Sequence, residues 1–272
     1  MASLDFYLDD LLSRGRGYFS RDEALVALGL KPPALAAAIT RSIKKRRLAN
    51  PRHGFYLILR PEDRISGAPD PVKWIDPMMN HQGTGYRISL LRAAAFHGSS
   101  HQATMVFQVV APKQLRTFAI GRHRLQFLYQ AADSFAQVDT PDMVNKMKSD
   151  AGFANVAGIE LTLLDCARYF HKAAGIKGVA QIARDIGAKA VPRKLAKAAA
   201  AYENSAVRRL GYLLDQAGHH RQASALEAFV KQAKTMVPLD PAVKPIVAAL
   251  DKVHEKNSKW KLIINETVEM AE

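Results

Sequence analysis

Several features that are typical of secreted, membrane-bound or disulfide-bonded proteins are scarce or missing in this sequence. It has one cysteine in 272 residues, so it has no internal disulfide and no clustered Cys/His zinc site. No run approaches the ~20 apolar residues of a membrane-spanning helix, and the N-terminus carries acids where a secretory leader would be basic. We therefore expect a cytoplasmic protein without membrane contacts, in which Cys166 fills the core.

The familiar motifs of catalysis are also missing. Residues 83–85 (GTG) lack the Gly-Lys-Ser/Thr ending of a phosphate loop, and neither a G-x-S-x-G elbow nor a paired-carboxylate motif is present. His97 and His101 have the spacing of two metal ligands on one helix, but residues 98–100 (GSS) are expected to end the helix between them. We expect no enzyme, no catalytic residue, no metal and no cofactor.

Acidic residues are few, and their distribution is uneven. The chain has 39 Lys and Arg against 25 Asp and Glu, a formal charge of +14 that would attract a polyanion. Residues 31–60 contain eight basic residues and no acid at all, whereas the rest is basic but mixed. An apolar fraction of 48% predicts a folded chain, and a length above the roughly 100–200 residues of one domain favours two domains.

The first thirty residues predict two helices and a tight turn. Apolar residues at helical spacing predict a first helix over residues 3–12. Ser20 and Glu23 form the capping-box pattern that starts a second helix. Gly29, which tolerates positive φ, is expected to end that helix in a turn that leads directly to another.

A third helix and a hairpin follow. Pro32 and Pro33 suit a helix start, and the Ala-rich stretch 34–47 is strongly helical. Leu48 and residues 55–59 predict two short strands joined by a turn of loop-forming residues. This order of elements is that of a winged helix-turn-helix, in which the hairpin is the wing.

In that fold the third helix enters the major groove of DNA. Small residues next to long cationic side chains on its outer face suit this role. Thr40 and Arg41 are the candidates for contacts with the edges of the bases. Lys44, Lys45 and other cations would meet phosphates and set the register. The predicted DNA-binding residues are Lys31, Ala37, Thr40, Arg41, Lys44, Lys45, Arg47, Arg52 and His53. The alternative is a merely solvated basic face, which the turn, the small residues and the hairpin together disfavour.

A linker rich in proline and glycine places a domain boundary near residue 65, so that residues 1–65 and 66–272 form two domains. The second domain is predicted to combine a mixed sheet over 86–155, a helical part over 159–250 and a final strand within 259–264 that rejoins the sheet. Within the first of these parts we expect a helix over 86–97 and strands over 104–111, 116–120 and 125–129. The predicted fold class is α+β.

A second group of cations lies in the helical part. It consists of Lys189, Arg193, Lys194 and Lys197 near one helix start, with Arg208 and Arg209 in the next helix. Three interpretations stay open: a solvated face, a dock for an acidic partner, or a continuation of the DNA-binding surface.

Several segments, taken in order, resemble the AbiEi family, the antitoxins of type IV abortive-infection toxin-antitoxin systems of bacteria. They are the N-terminal module, residues 86–98 (YRISLLRAAAFHG), 107–111 (FQVVA), 208–214 (RRLGYLL) and 260–265 (WKLIIN). The resemblance covers nearly the whole chain, and the order of the segments carries it.

The resemblance implies a winged-helix N-terminus that represses its own operon by binding inverted repeats in double-stranded promoter DNA. It implies a C-terminal domain that counters a nucleotidyltransferase toxin, encoded nearby, without a stable complex. On the family's pattern the binding roles fall on residues 40–47 and on Arg52. A ligand-sensing winged-helix transcription regulator and a nucleic-acid-processing enzyme are the alternatives.

Overall fold

The computed structural model describes residues 3–99, 106–149, 152–243 and 255–268, and it has the mixed α+β architecture expected from the sequence. The chain forms two compact units. The first unit is Met1–Ile88, Thr104–Gln130 and Lys146–Val156, and the second is Ser89–Ala103, Ala131–Asn145 and Ala157–Glu272. This division differs from a single boundary near residue 65, because the first unit takes in later segments of the chain.

Three helices and a small sheet open the first unit, and we call them the N-terminal helical body. Its elements are α1 (Leu4–Ser13), β1 (Tyr18–Ser20), α2 (Arg21–Leu28), α3 (Pro32–Lys44), β2 (Leu48–Arg52) and β3 (Phe55–Ile58). The strands are antiparallel in the order β1-β3-β2. Leu8, Phe19, Leu35 and Leu48 lie in the core that joins the helices to this sheet. The strand β1, which pairs with β3, was not predicted.

The remainder of the first unit is built around a six-stranded mixed sheet. The short helices α4 (Asp63–Ser66) and α5 (Ile75–His81) precede it. Its strands are β4 (Arg87–Ile88), β5 (Val106–Ala111), β6 (Phe118–Ile120), β7 (His123–Tyr129), β8 (Val144–Ser149) and β9 (Gly152–Ala157). Their order is β6-β7-β5-β4-β9-β8, with β5 and β7 parallel. The strands expected over 104–111, 116–120 and 125–129 are present as β5, β6 and β7 and end at the predicted residues, although residues 104 and 105 lie outside the described part.

The predicted helix over 86–97 is wrong in its first third. Arg87 and Ile88 form β4 and are fully buried, because they pair with Val110 and Val109 of β5. The helix α6 begins only at Leu90 (Leu90–Phe96), and Leu90 itself has φ of 52°. An apolar run of this length fits either structure, and the sheet partners decided the outcome.

Helices dominate the second unit. In addition to α6, this unit contains the helices α7 (Ala132–Val138), α8 (Ile159–Arg168), α9 (Gly175–Ile186), α10 (Pro192–Ala199), α11 (Asn204–Gln216), α12 (His220–Ser224) and α13 (Glu227–Lys231). The helices α8 to α13 lie within the helical part predicted over 159–250. Cys166 on α8 is fully buried, as expected.

The final strand does not rejoin the earlier sheet. It forms β12 (Leu262–Ile264), which pairs in parallel with β10 (Val237–Pro238) and antiparallel with β11 (Glu255–Asn257). The buried Trp260 anchors this small sheet by donating its indole N–H to Asp215 on α11 at 2.6 Å.

Candidate nucleic-acid interface

The connection between α2 and α3 sets the direction of the cationic helix. The Ser20 hydroxyl accepts a hydrogen bond from the Glu23 amide at 3.2 Å, and the Glu23 carboxylate accepts one from the Ser20 amide at 2.7 Å, so the predicted capping box is confirmed. Gly29 ends α2 with φ of 61°. The two helices are bent by 113° at this break, within the about 90–120° typical of helix-turn-helix pairs.

An ion pair fixes the start of α2. Arg16 donates a hydrogen bond to the Glu23 carboxylate at 2.6 Å. Burial alone would raise the pKa of Glu23, but the hydrogen bonds from Arg16 and Ser20 outweigh it and hold the pKa below its usual value. Glu23 is therefore ionised at neutral pH, where its charge favours the positive end of the helix dipole.

One face of α3 is buried and the other is exposed. Leu35, Ile39 and Ser42 point into the core. The predicted contact residues Lys31, Ala37, Thr40, Arg41, Lys44 and Lys45 are all exposed. None of their charged groups forms an ion pair with another described residue. The exposed face of α3 is therefore positive and free to meet an anion.

Thr40 on this face has a fixed hydroxyl. Its Oγ1 donates to the carbonyl of Ala36 at 2.9 Å, one turn earlier in the helix. Because the proton is committed to the backbone, the oxygen keeps its lone pairs for an incoming donor. Thr40 is thus set to accept a hydrogen bond, for example from a base amino group.

Arg47 is turned away from this face. Its guanidinium donates to Asp5 and Asp9 of α1 at 2.6 Å each. The side chain is 24% exposed. Arg47 therefore ties the segment after α3 to the first helix and does not extend the exposed cationic surface.

Arg52 at the end of β2 is likewise held within the first unit. Its guanidinium lies over the rings of Phe118 and Phe127, 4.4 and 5.2 Å from their centroids. It also donates to the Arg116 carbonyl at 2.6 Å. Burial lowers the pKa of Arg52. This arginine clamps the β2–β3 hairpin to the six-stranded sheet, which disfavours the predicted phosphate contact.

The tip of the hairpin is fixed by a histidine. His81 Nε2 lies 3.0 Å from the His53 carbonyl oxygen, and its ring packs on Phe55. Gly54 has φ of 74°, which completes the turn. The His53 side chain itself is exposed. Of the two predicted hairpin contacts, His53 is therefore the accessible one.

A residue at the end of α3 was missing from the predicted set. Arg46 has φ of 52°, a left-handed conformation that usually takes glycine at the end of a helix. Its side chain is exposed. The run Lys-Lys-Arg-Arg without glycine, at the expected end of a helix, was the only signal for it in the sequence.

The second group of cations divides into a surface part and a buried part. Lys189, Arg193, Lys194 and Lys197 lie around the start of α10, but Lys194 donates to the Asp142 carbonyl and Lys197 lies 3.6 Å from the Asp142 carboxylate. Lys189 donates to the His97 carbonyl at 3.0 Å. This cluster is thus partly neutralised and hydrogen-bonded within the second unit.

Arg208 and Arg209 belong to no surface, and their assignment to a basic face is wrong. Each is 4% exposed. Arg208 donates to the carbonyls of Thr235 and Lys261, and Arg209 to that of Leu239. Burial lowers the pKa of Arg209 to about 10, which still leaves it charged at neutral pH. These arginines fasten the chain around β10 and β12 to α11.

The described residues offer no group of three or more His, Cys, Asp or Glu side chains that would hold a metal ion. His97 Nε2 lies 2.7 Å from the Ala157 carbonyl, while His101 lies outside the described residues. Burial raises the pKa of the Cys166 thiol, which keeps it protonated and unreactive. Among the helices described, none is by itself long and apolar enough to cross a membrane, and the pair that reaches that length and composition together is the bent pair α2 and α3.

Comparison with known families identifies the middle part of the chain. The family model of the AbiEi antitoxin C-terminal domain matches residues 87–216. The chain carries an AbiEi antitoxin C-terminal domain. This confirms the resemblance seen in the sequence over the matched residues.

The fold of the chain is similar to that of a solved structure. The crystal structure of the RV2827C protein from Mycobacterium tuberculosis matches with a TM-score of 0.63 and 16% sequence identity, over 94% of this chain and 89% of that one. At this identity the similarity concerns the fold alone. No curated protein matches the sequence.

Proposed function

We propose that this chain is a type IV antitoxin that counters a nucleotidyltransferase toxin and represses its own operon. Repression would act through the N-terminal helical body, as a winged helix-turn-helix on inverted repeats in the promoter. One observation supports the DNA-binding part above all: α3 presents small residues and cations that form no ion pair with any other described residue, on one exposed face and in a stretch of thirty residues without an acid.

On this proposal the contacts divide by chemistry. Arg41 has the planar fork that matches the O6 and N7 acceptors of guanine, and Thr40 accepts from a base amino group. Lys44 and Lys45 meet phosphates, and Ala37 lets the helix approach the floor of the groove. Lys31 and His53 would contact phosphates at the edges of the surface. Arg47 and Arg52 make no contact with DNA on this proposal. Arg47 binds to α1 and Arg52 binds to the six-stranded sheet, so both hold the DNA-binding elements in place.

The experiment is a binding titration on a duplex from the region upstream of the coding sequence, and on a random duplex of equal length. Arg41→Ala should cost about 1–3 kcal/mol on the upstream duplex and little on the random one. Lys45→Ala should weaken both alike and lower the slope of log affinity against log salt by about 0.9. Equal losses on both duplexes for the two variants would contradict the assigned roles, and a wild-type slope near zero would contradict DNA binding itself.

The antitoxin part is tested in cells that express the neighbouring nucleotidyltransferase gene from an inducible promoter. Co-expression of the full chain should restore growth. Because Arg41 lies on the proposed DNA surface, Arg41→Ala should still restore growth while losing repression of a reporter driven by the upstream region. Failure of the wild-type chain to restore growth would contradict the proposed partner.

A further inference from the structure

An open groove of about 720 Å³ lies between α1 and α2, and all its lining residues belong to the first unit. Two of its large apolar side chains face water: Phe6 of α1 is 66% exposed, and Val26 of α2 is 86% exposed. Leu11 and Leu28, which also line the groove, are buried. An exposed apolar surface of this kind, bordered by charged residues, is typical of a site of protein association.

The helix α2 has no polar side in its second half. Residues 24–28 (ALVAL) are apolar without a break. Ala24 and Leu28 pack into the core of the N-terminal helical body, so Val26 and Ala27 are left on the outside. A surface helix normally carries polar residues there, and a helix that is apolar on all sides is normally buried on all sides. The second half of α2 therefore has an apolar side that the described residues leave uncovered.

The charges around the groove disfavour DNA as its occupant. Residues 1–28 contain five acidic and three basic residues, a formal charge of −2 in a chain of +14. Two ion pairs, Arg14 with Asp10 and Arg16 with Glu23, neutralise most of the rim. A rim without net positive charge attracts neither phosphates nor an acidic protein. The groove therefore suits a partner that is held by apolar contacts.

The charge distribution favours a second copy of this chain. Two copies of charge +14 repel each other, and the repulsion is weakest where each presents a surface without net positive charge. A symmetric dimer brings the same patch of both copies together, so the patch needs projecting groups beside a recess and charges of both signs. Phe6 and Val26 project beside the groove. Its rim holds the exposed side chains of Arg14 and Asp22, and Asp22 forms no ion pair with another described residue.

We propose that this chain self-associates through the groove between α1 and α2, with Phe6 and Val26 of each copy packed into the groove of the other. No residue of α3 lines the groove, so the association does not use the proposed DNA-binding residues of that helix and does not depend on DNA. The two helices have ten and eight residues, which makes them about 15 and 12 Å long. Because such a face is small for an interface, we expect a reversible dimer with a dissociation constant on the order of micromolar to millimolar.

The test is analytical ultracentrifugation of the full chain without DNA, over concentrations from about 10 µM to about 1 mM. The average mass should rise from monomer towards dimer. Phe6→Ser and Val26→Ser should each weaken the association about tenfold or more, because a substitution in a symmetric interface removes its apolar contact twice. Ile65→Ser is the matched control, since Ile65 of α4 is 95% exposed but does not line the groove, and it should behave like the wild type. Circular dichroism checks that all three variants are folded.

Salt distinguishes this association from DNA binding. Added salt screens the repulsion between two positively charged copies, so it should strengthen self-association. The same salt should weaken DNA binding, because fewer counterions are then gained by release. Loss of DNA binding would therefore refute the proposed function and leave this inference standing.

Cross-linking tests the surface directly. Cys166, the one cysteine of the sequence, is fully buried, so Val26→Cys adds a thiol that a short bismaleimide can reach. Two copies of this variant should become linked, and the added change Phe6→Ser should suppress the link, whereas Ile65→Cys should remain unlinked. A wild type that stays monomeric at all concentrations would overturn the inference and leave the groove to a different partner. Dimers that persist in Phe6→Ser and Val26→Ser, or that are lost equally in Ile65→Ser, would place the contact elsewhere and also overturn it.

Discussion

Gly211 on α11 offers the sharpest test of how the C-terminal sheet is held. A Cβ at this position would lie 2.1 Å from Cζ3 and 2.3 Å from Cη2 of Trp260, so the indole ring must move if alanine is introduced. Expelling a buried tryptophan costs about 3–5 kcal/mol. Alanine gains about 1 kcal/mol over glycine in a helix interior. We therefore expect Gly211→Ala to lower the free energy of unfolding by about 2–4 kcal/mol.

Urea denaturation followed by circular dichroism measures this loss, and tryptophan emission reports the new environment of Trp260. Gly17→Ala is the control, because a Cβ there meets nothing within 4 Å and its φ lies outside the positive range, so the change should stay within about 0.5 kcal/mol. In a Trp260→Phe background the cost of Gly211→Ala should shrink, since the clashing atoms are gone. A Gly211→Ala protein as stable as the wild type, or stabilised by its better helix former, would refute the reasoning.

Two further predictions concern strain and pH. Arg46→Gly should raise the free energy of unfolding by up to about 1 kcal/mol, because it relieves the left-handed conformation; loss of stability in thermal denaturation would contradict this. The pKa of Asp215 would be raised by burial, but hydrogen bonds from Lys259, Trp260 and His220 lower it below its ordinary value of 3.8. Its contribution is therefore present above that value and lost as pH falls through the lower folded pKa, so stability between pH 4 and pH 2 should fall less in Asp215→Asn than in the wild type.

Elements determined by neighbouring residues could be read from the sequence. Ser20 and Glu23 specify a helix start through bonds three residues apart, and Gly29 specifies its end through backbone freedom. The outer face of α3 followed from helical periodicity, and Thr40 and Arg41 lie on it as predicted. Each of these features needs only local chemistry, and each is present in the structure.

The features that were missed depend on partners distant in sequence. In the sequence, Arg47 and Arg52 look like further members of a run of cations. In the structure, Arg47 pairs with Asp5 and Arg52 lies over the ring of Phe118, and both partners are distant in the sequence. Arg208 reads as a surface cation, yet carbonyls of a later segment bury it. A guanidinium satisfies a carboxylate, a carbonyl or an aromatic ring as readily as a phosphate, so composition alone does not assign its partner.

The clamp on the β2–β3 hairpin has a consequence for dividing this protein into parts. Phe118, Phe127 and His81 hold the hairpin, and all three lie beyond residue 65. A fragment of residues 1–65 would expose the Arg52 side chain and lose the support of the hairpin tip. We expect this fragment to unfold at lower temperature and to bind the upstream duplex more weakly than the full chain, as differential scanning fluorimetry and a titration would measure. Full affinity in a stable fragment would show instead that the hairpin keeps its form without the sheet, and that DNA binding is carried by the N-terminal helical body alone.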